Sequence, residues 1–206
     1  MNYTLIKVCG MRDAENIREV EALGVDMMGF IFWPKSSRYV SKCPNYLPQK
    51  AKRVGVFVDA TIEDILQYIN DYTLDIIQLH GHEAPDFIQR LRSLCGDSIA
   101  TIKAFNIATT EDIDATKPYE GVVDYFLFDT KGKSVGGNGE KFDWSVLEAY
   151  RSDTHFLLSG GIGLDDAERV KGFCHPKCVG IDLNSKFEVS PALKDINKLK
   201  IFLEQL

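Results

Sequence analysis

Leu5-Ile6-Lys7-Val8-Cys9-Gly10, a helical pattern over Asp13–Leu23, then Met27-Met28-Gly29-Phe30-Ile31-Phe32: this opening stretch decides the fold. The two flanking runs are almost continuously apolar, as strands buried on both faces require. The segment between them opens on an Asp suited to capping and stops before Gly24. Similar runs recur at Val54–Val58, Ile76–Leu79, Ile99–Ala104, Tyr125–Phe128, His155–Leu158 and Cys178–Leu183. Further helical patterns cover Thr61–Tyr72, Ala84–Cys95, Leu164–Lys171 and Pro191–Leu206. After the second run, Pro44 and Pro48 allow only a short or irregular helix. Eight strand–helix alternations predict an α/β fold, a compact (β/α)8 TIM barrel of parallel strands filling residues 1–206 as one domain. The runner-up is an open doubly wound sheet. It normally shows a Gly-rich fingerprint after the first strand, and Cys9-Gly10-Met11-Arg12 is not one.

Composition narrows the function. The chain is 45% hydrophobic and 26% charged, and its net charge of −6 argues against broad nucleic-acid binding. A charged leader followed by a long apolar stretch is lacking, so neither a signal peptide nor a membrane span is expected. Five cysteines cannot all pair within the chain, and reduced thiols in a cytoplasmic protein are the simpler expectation. Cys174-His175-Pro176-Lys177-Cys178 resembles half a metal hook, but no second pair completes it, and no metal is expected. A monomer is expected, because no long exposed apolar helix announces an interface.

In a barrel of this kind the active site sits where the strands end. Unusual polar residues do gather there: Lys7 and Cys9, Lys35 and Arg38, Asp59, Gln78 and His80, Lys103, Asp129, Ser159-Gly160-Gly161 and Asp182-Leu183-Asn184-Ser185. Cysteine is often just a small buried hydrophobe. At a strand end, though, a thiol with an ordinary pKa of about 8.5 makes a usable base after a modest shift. Lys7 shares its strand face, and an ammonium there favours the thiolate. Asp129 ends the sixth run ahead of a long Gly-rich stretch, Thr130–Lys141, with the character of a lid. Ser159-Gly160-Gly161-Ile162-Gly163, with Asn184-Ser185, matches the phosphate site that barrels build after strands seven and eight. Arg38 offers a planar fork for a carboxylate. His80 either lines the pocket or bonds a neighbour.

Read together, these blocks closely resemble the phosphoribosylanthranilate isomerase family of tryptophan biosynthesis. The resemblance runs in order through Lys7-Val8-Cys9-Gly10, Gly29–Tyr39, Val54–Val58, Gln78-Leu79-His80-Gly81, Leu127-Phe128-Asp129, Gly136-Gly137-Asn138-Gly139, Phe142-Asp143-Trp144, Leu158–Gly161 and Gly180-Ile181-Asp182. It implies an Amadori rearrangement of N-(5-phosphoribosyl)anthranilate to 1-(2-carboxyphenylamino)-1-deoxyribulose 5-phosphate. It further implies Asp129 as general acid, Cys9 as general base, Arg38 on the anthranilate carboxylate, and Gly160, Gly161, Asn184 and Ser185 on the phosphate. Lys7, His80 and Asp182 complete the expected substrate-binding set, and no cofactor is implied. The chain departs from the family at Asn184-Ser185-Lys186, where Ser-Ser-Gly is common, at Ser37, where Pro is common, and at Arg12, where Thr is common. Two rivals remain at this stage: another phosphosugar isomerase or lyase on the same barrel, and a non-catalytic barrel that binds a phosphorylated metabolite.

Overall fold

The computed structural model describes residues 5–96, 98–130 and 143–206. Eight parallel strands form a closed barrel: β1 (Leu5–Cys9), β2 (Met27–Ile31), β3 (Lys52–Phe57), β4 (Ile76–Leu79), β5 (Ala100–Ile107), β6 (Tyr125–Thr130), β7 (His155–Leu158) and β8 (Cys178–Leu183). Closure falls on β1, whose Lys7 pairs with Met27 on one side and Asp182 on the other. The helices are α1 (Ala14–Ala22), α2 (Ile62–Tyr72), α3 (Pro85–Cys95), α4 (Thr110–Asp114), α5 (Ala167–Gly172) and α6 (Ile196–Gln205). Asp13, Thr61 and Asp195 cap α1, α2 and α6 by accepting the N–H of Asn16, Asp64 and Lys198. Each cap satisfies a donor that the helix itself leaves unpaired.

The chain departs from the sequence expectations in places, each for a local reason. No helix forms between β2 and β3, where Pro44 and Pro48 stand; instead Tyr39 bridges back to Ile31. The connection from β6 to β7 ends in a 3-10 turn, Trp144–Ala149, capped by Asp143. The helix expected from Pro191 begins only at Ile196, because a small antiparallel hairpin of β9 (Glu188–Ser190) and β10 (Leu193–Lys194) takes the earlier residues. The Asn16 side chain holds Lys194 extended by bonding both its N–H and its carbonyl, at 2.7 and 2.9 Å. The Gly-rich segment expected as a lid, with Gly136-Gly137-Asn138-Gly139, lies outside the described residues.

Two apolar layers result from strand alternation. Cys9, Met27, Val54, Val56, Ile76, Ile102, Ala104, Leu127 and Leu157 cluster inside the barrel. Phe30, Phe57, Phe126, Phe128 and Phe156 form part of the outer layer, together with Ile17, Ile65, Leu91 and Leu199 from the helices. Each such side chain contributes roughly 1.5–3 kcal/mol on full burial. Because the side-chain period is two, Leu127 directs Asp129 inward, and Ile76 does the same for Gln78.

Candidate active site

The site grows from the barrel interior. Lys7 is completely buried, and its ammonium donates to Asp182 Oδ1 at 2.7 Å. The other Asp182 oxygen accepts from Ser159 Oγ at 3.2 Å. One carboxylate therefore ties the ends of β1, β7 and β8 together. Burial works against the Lys7 charge, but Asp182 and Cys9 outweigh it and raise its pKa.

Cys9 ends β1 within the interior layer and is almost fully buried. Its partner across β2 is Gly29, where an added Cβ would lie 2.7 Å from the sulfur. Only a residue without a side chain leaves the thiol that room. Burial pushes the Cys9 pKa up; Asp182 adds to the rise, while Lys7 and Lys194 pull the other way. The attraction expected from Lys7 is thus present, but burial outweighs it and the net shift is upward.

Asp129, inward at the end of β6, faces His80, whose Nε2 lies 3.9 Å from Asp129 Oδ2. The amide Nε2 of Gln78 is 3.1 Å from His80 Nδ1. With the Gln78 amide assigned in this orientation it donates to Nδ1, which assigns the ring proton to Nε2, toward Asp129. Burial, with Lys103 and Lys7 adding to it, pushes the His80 pKa down to about 4. The ring is therefore a neutral donor at physiological pH. Lys103 braces the loop that carries it: its ammonium donates to the Gly81 carbonyl at 2.7 Å and to Glu83 at 3.2 Å. Burial lowers the Lys103 pKa against the pull of Glu83.

Arg38 comes from the loop after β2, and Glu188 meets it from the hairpin after β8. Nε is 2.9 and 3.1 Å from the two Glu188 oxygens, and Nη2 is 2.7 Å from Oε2. Lys194 reaches Glu188 Oε1 at 2.7 Å and Asn184 Oδ1 at 2.8 Å. These groups crowd around Gly10, where a Cβ would lie 2.8 Å from Arg38 Cδ and 2.9 Å from Asn184 Oδ1. Gly160 and Gly161 follow β7 with φ of +95° and +70°, and Ser185 opens a 3-10 turn, Ser185–Phe187, after β8.

The sequence-expected residues thus gather at one end of the barrel. Lys7, Cys9 and Asp182 share its interior; His80 meets Asp129; Arg38 and Asn184 join through Glu188 and Lys194. Sequence reasoning missed Glu188, Lys194, Asn16 and Glu83. The first two stand in a stretch read as leading into or belonging to a helix, where a charged residue looks like an ordinary solvated one. Cys174 is exposed and Cys178 half-buried, and among the described residues no group of three His, Cys, Asp or Glu side chains could hold a metal.

The model of the N-(5′-phosphoribosyl)anthranilate (PRA) isomerase family matches residues 6–205. A protein of Parabacteroides distasonis named N-(5′-phosphoribosyl)anthranilate isomerase is 50% identical, over 98% of this chain and 93% of its own length. The phosphoribosyl anthranilate isomerase of Thermotoga maritima superposes with a TM-score of 0.82 at 29% identity, covering 98% of each chain. A further isomerase structure, solved with reduced 1-(o-carboxyphenylamino)-1-deoxyribulose 5-phosphate, has a TM-score of 0.79 at 27% identity over 98% of this chain and 97% of its own. With the match running from β1 to the end of α6, the chain belongs to the N-(5′-phosphoribosyl)anthranilate isomerase family.

Proposed function

We propose that the barrel mouth performs the family's Amadori rearrangement with Cys9 as general base and Asp129 as general acid. The activity itself, an isomerase step of tryptophan biosynthesis, follows from family membership. The observation that carries the residue roles is one thiol and one carboxylate on inward positions at the ends of β1 and β6. Protonated Asp129 gives its proton to the ribose ring oxygen, and the C1–O bond opens to a Schiff base. Cys9 takes the proton from C2 in its thiolate form, which the ammonium groups of Lys7 and Lys194 favour, and leaves an enolamine. Tautomerisation to the ketone gives 1-(2-carboxyphenylamino)-1-deoxyribulose 5-phosphate. One proton enters the substrate from Asp129 and one leaves it to Cys9, so the product is an isomer with no net change of redox state, and this scheme uses no cofactor. Neutral His80 suits the scheme, because an imidazolium facing Asp129 would hold the acid ionised.

Arg38 holds the anthranilate carboxylate in this reading. The turns at Gly160-Gly161 and Asn184-Ser185 hold the phosphate, and Lys7 and Asp182 set the charge beneath Cys9. The substrate is a small phosphorylated molecule, and the enzyme works as a cytoplasmic monomer; sedimentation velocity at micromolar concentration tests the oligomeric state. Among the described residues no helix is long and apolar enough to cross a membrane. The deciding experiment follows anthranilate fluorescence with freshly made phosphoribosylanthranilate, corrected for spontaneous breakdown. Rapid decay in the wild type that collapses in Asp129→Asn is the expected result. Equal decay in both proteins removes the acid assignment.

A further inference from the structure

Glu188 sets a puzzle, since it places a carboxylate against the very guanidinium that is read as the receptor for the substrate's carboxylate. Three donors fix it: the Arg38 fork, Lys194 Nζ at 2.7 Å and the N–H of Ala192 at 3.1 Å. Ala192 adopts φ +67°, a left-handed conformation that a non-glycine residue takes at some energetic cost. A group so held does not swing away when ligand arrives.

The geometry answers the puzzle. Glu188 occupies only the side edge of the guanidinium, Nε with Nη2. Among the described residues no acceptor meets Nη1, so the end edge, Nη1 with Nη2, stays open to a second carboxylate. By itself, the Arg38–Glu188 pair would be neutral and would attract no anion. Lys194 changes the balance. It lies opposite Glu188 in the hairpin of β9 and β10, with its side chain fully buried. Two cations and one anion leave the clamp with a net charge of about +1, the complement of one carboxylate. The nearby Lys7–Asp182 pair is neutral and does not alter this count. Lys194 also bonds Asn184, so the same ammonium ties the carboxylate clamp to the loop after β8.

We propose that Glu188 and Lys194 are positioning residues of the carboxylate subsite: Glu188 orients the Arg38 fork, and Lys194 restores the positive charge that Glu188 would otherwise cancel. This inference rests on Arg38 being the carboxylate receptor, and it adds two residues that decide selectivity for a carboxylated aromatic ring.

The test compares two ligands by isothermal titration calorimetry: reduced 1-(o-carboxyphenylamino)-1-deoxyribulose 5-phosphate and its phenylamino counterpart lacking the carboxyl group. The readout is the ratio of their Kd values. Lys194→Met is expected to reduce that ratio about tenfold, as removal of one charge from a complementary site predicts, while any effect passed through Asn184 to the phosphate falls on both ligands and cancels in the ratio. Because this variant buries Glu188 with one partner fewer, the double variant Glu188→Gln/Lys194→Met is measured as well. It restores the net charge of the clamp, so the ratio is expected to recover. A merely structural role for Lys194 would leave the ratio unchanged in Lys194→Met, and that result overturns the inference, as does a ratio that fails to recover in the double variant. Arg38→Ala separates the two levels. If Arg38→Ala also leaves the ratio unchanged, the receptor assignment itself fails; if Arg38→Ala removes it and Lys194→Met does not, only the roles of Glu188 and Lys194 fall.

Discussion

At the N-terminal end of the barrel, Asp26, Asp75 and Asp124 each accept a backbone N–H, from Ile6, Arg53 and Thr101 at 2.7, 2.9 and 2.7 Å. At the C-terminal end, Asp182, Glu83 and Glu188 each accept from a buried ammonium, Lys7, Lys103 and Lys194, at 2.7, 3.2 and 2.7 Å. The same functional group does two jobs. Below, it stands just ahead of β2, β4 and β6 and stitches each of these strands to the one before it. Above, it holds cations inside the protein, where they are expensive to keep and are of use only to something that binds or reacts. A buried ion pair gives little net stability over apolar packing of the same volume. Three such pairs crowded at one end of a barrel are therefore better explained by chemistry than by folding.

If that contrast is right, changes at the upper end should strike activity, whatever they do to stability, and changes at the lower end should strike stability alone. The largest effect is expected from the proton-transfer groups. Cys9→Ala or Asp129→Asn should each lower kcat by about 10²-fold or more, since a positioned acid or base contributes roughly 10²–10⁴. The melting temperature of each should stay close to wild type. Near-normal turnover in Cys9→Ala would remove the base assignment.

Lys7→Met tests what the upper pairs demand of the fold. It leaves Asp182 buried without its cation, and denaturant unfolding should show a loss of about 3–5 kcal/mol, as for other broken buried pairs. Lys7→Met/Asp182→Asn, which removes both charges, should recover much of that loss.

The pH dependence sharpens the contrast further. The His80 pKa lies near 4 in the folded chain against an ordinary 6.5, because burial and the nearby lysines oppose its charge. The unfolded state therefore binds the proton first as the pH falls. Stability should drop between about pH 6.5 and 4, by up to about 3 kcal/mol from this group, and level off below that. An NMR titration of the ring should place its midpoint near 4; a midpoint at 6 or above would overturn the neutral-donor role.

The smallest effect belongs to the lower end. Asp26→Ala removes the acceptor for the Ile6 N–H and should cost about 1–2 kcal/mol of stability, the scale of a lost hydrogen bond to a charged group. Its kcat should be unchanged. A large loss of turnover in this variant, without unfolding, would break the division between the two ends.

Much of this was legible in the chain. The eight apolar runs reported the strands, because burial on both faces leaves little room for polar residues. Asp13 and Thr61 marked helix starts through their caps. Cys9, Asp129, His80 and Asp182 could be singled out because each sits at or just beyond the C-terminal end of a run, where the barrel opens. The hairpin of β9 and β10 was not legible. Its second strand falls in the stretch from Pro191 that reads as helix, and what holds Lys194 extended there is Asn16, a side chain from α1 almost the whole chain away. Nor could sequence foretell that burial would outweigh Lys7 and raise the Cys9 pKa, since desolvation depends on everything packed around the sulfur. The sequence by itself determined the order of elements and which residue types stand at the strand ends, because those follow from local periodicity. The closing of the barrel decided which of them meet: Lys7 with Asp182, His80 with Asp129, Arg38 with Glu188 and Lys194. These partners are remote along the chain, and only the lateral order of the strands in the closed barrel and the alternation of side chains across them bring them together at one end.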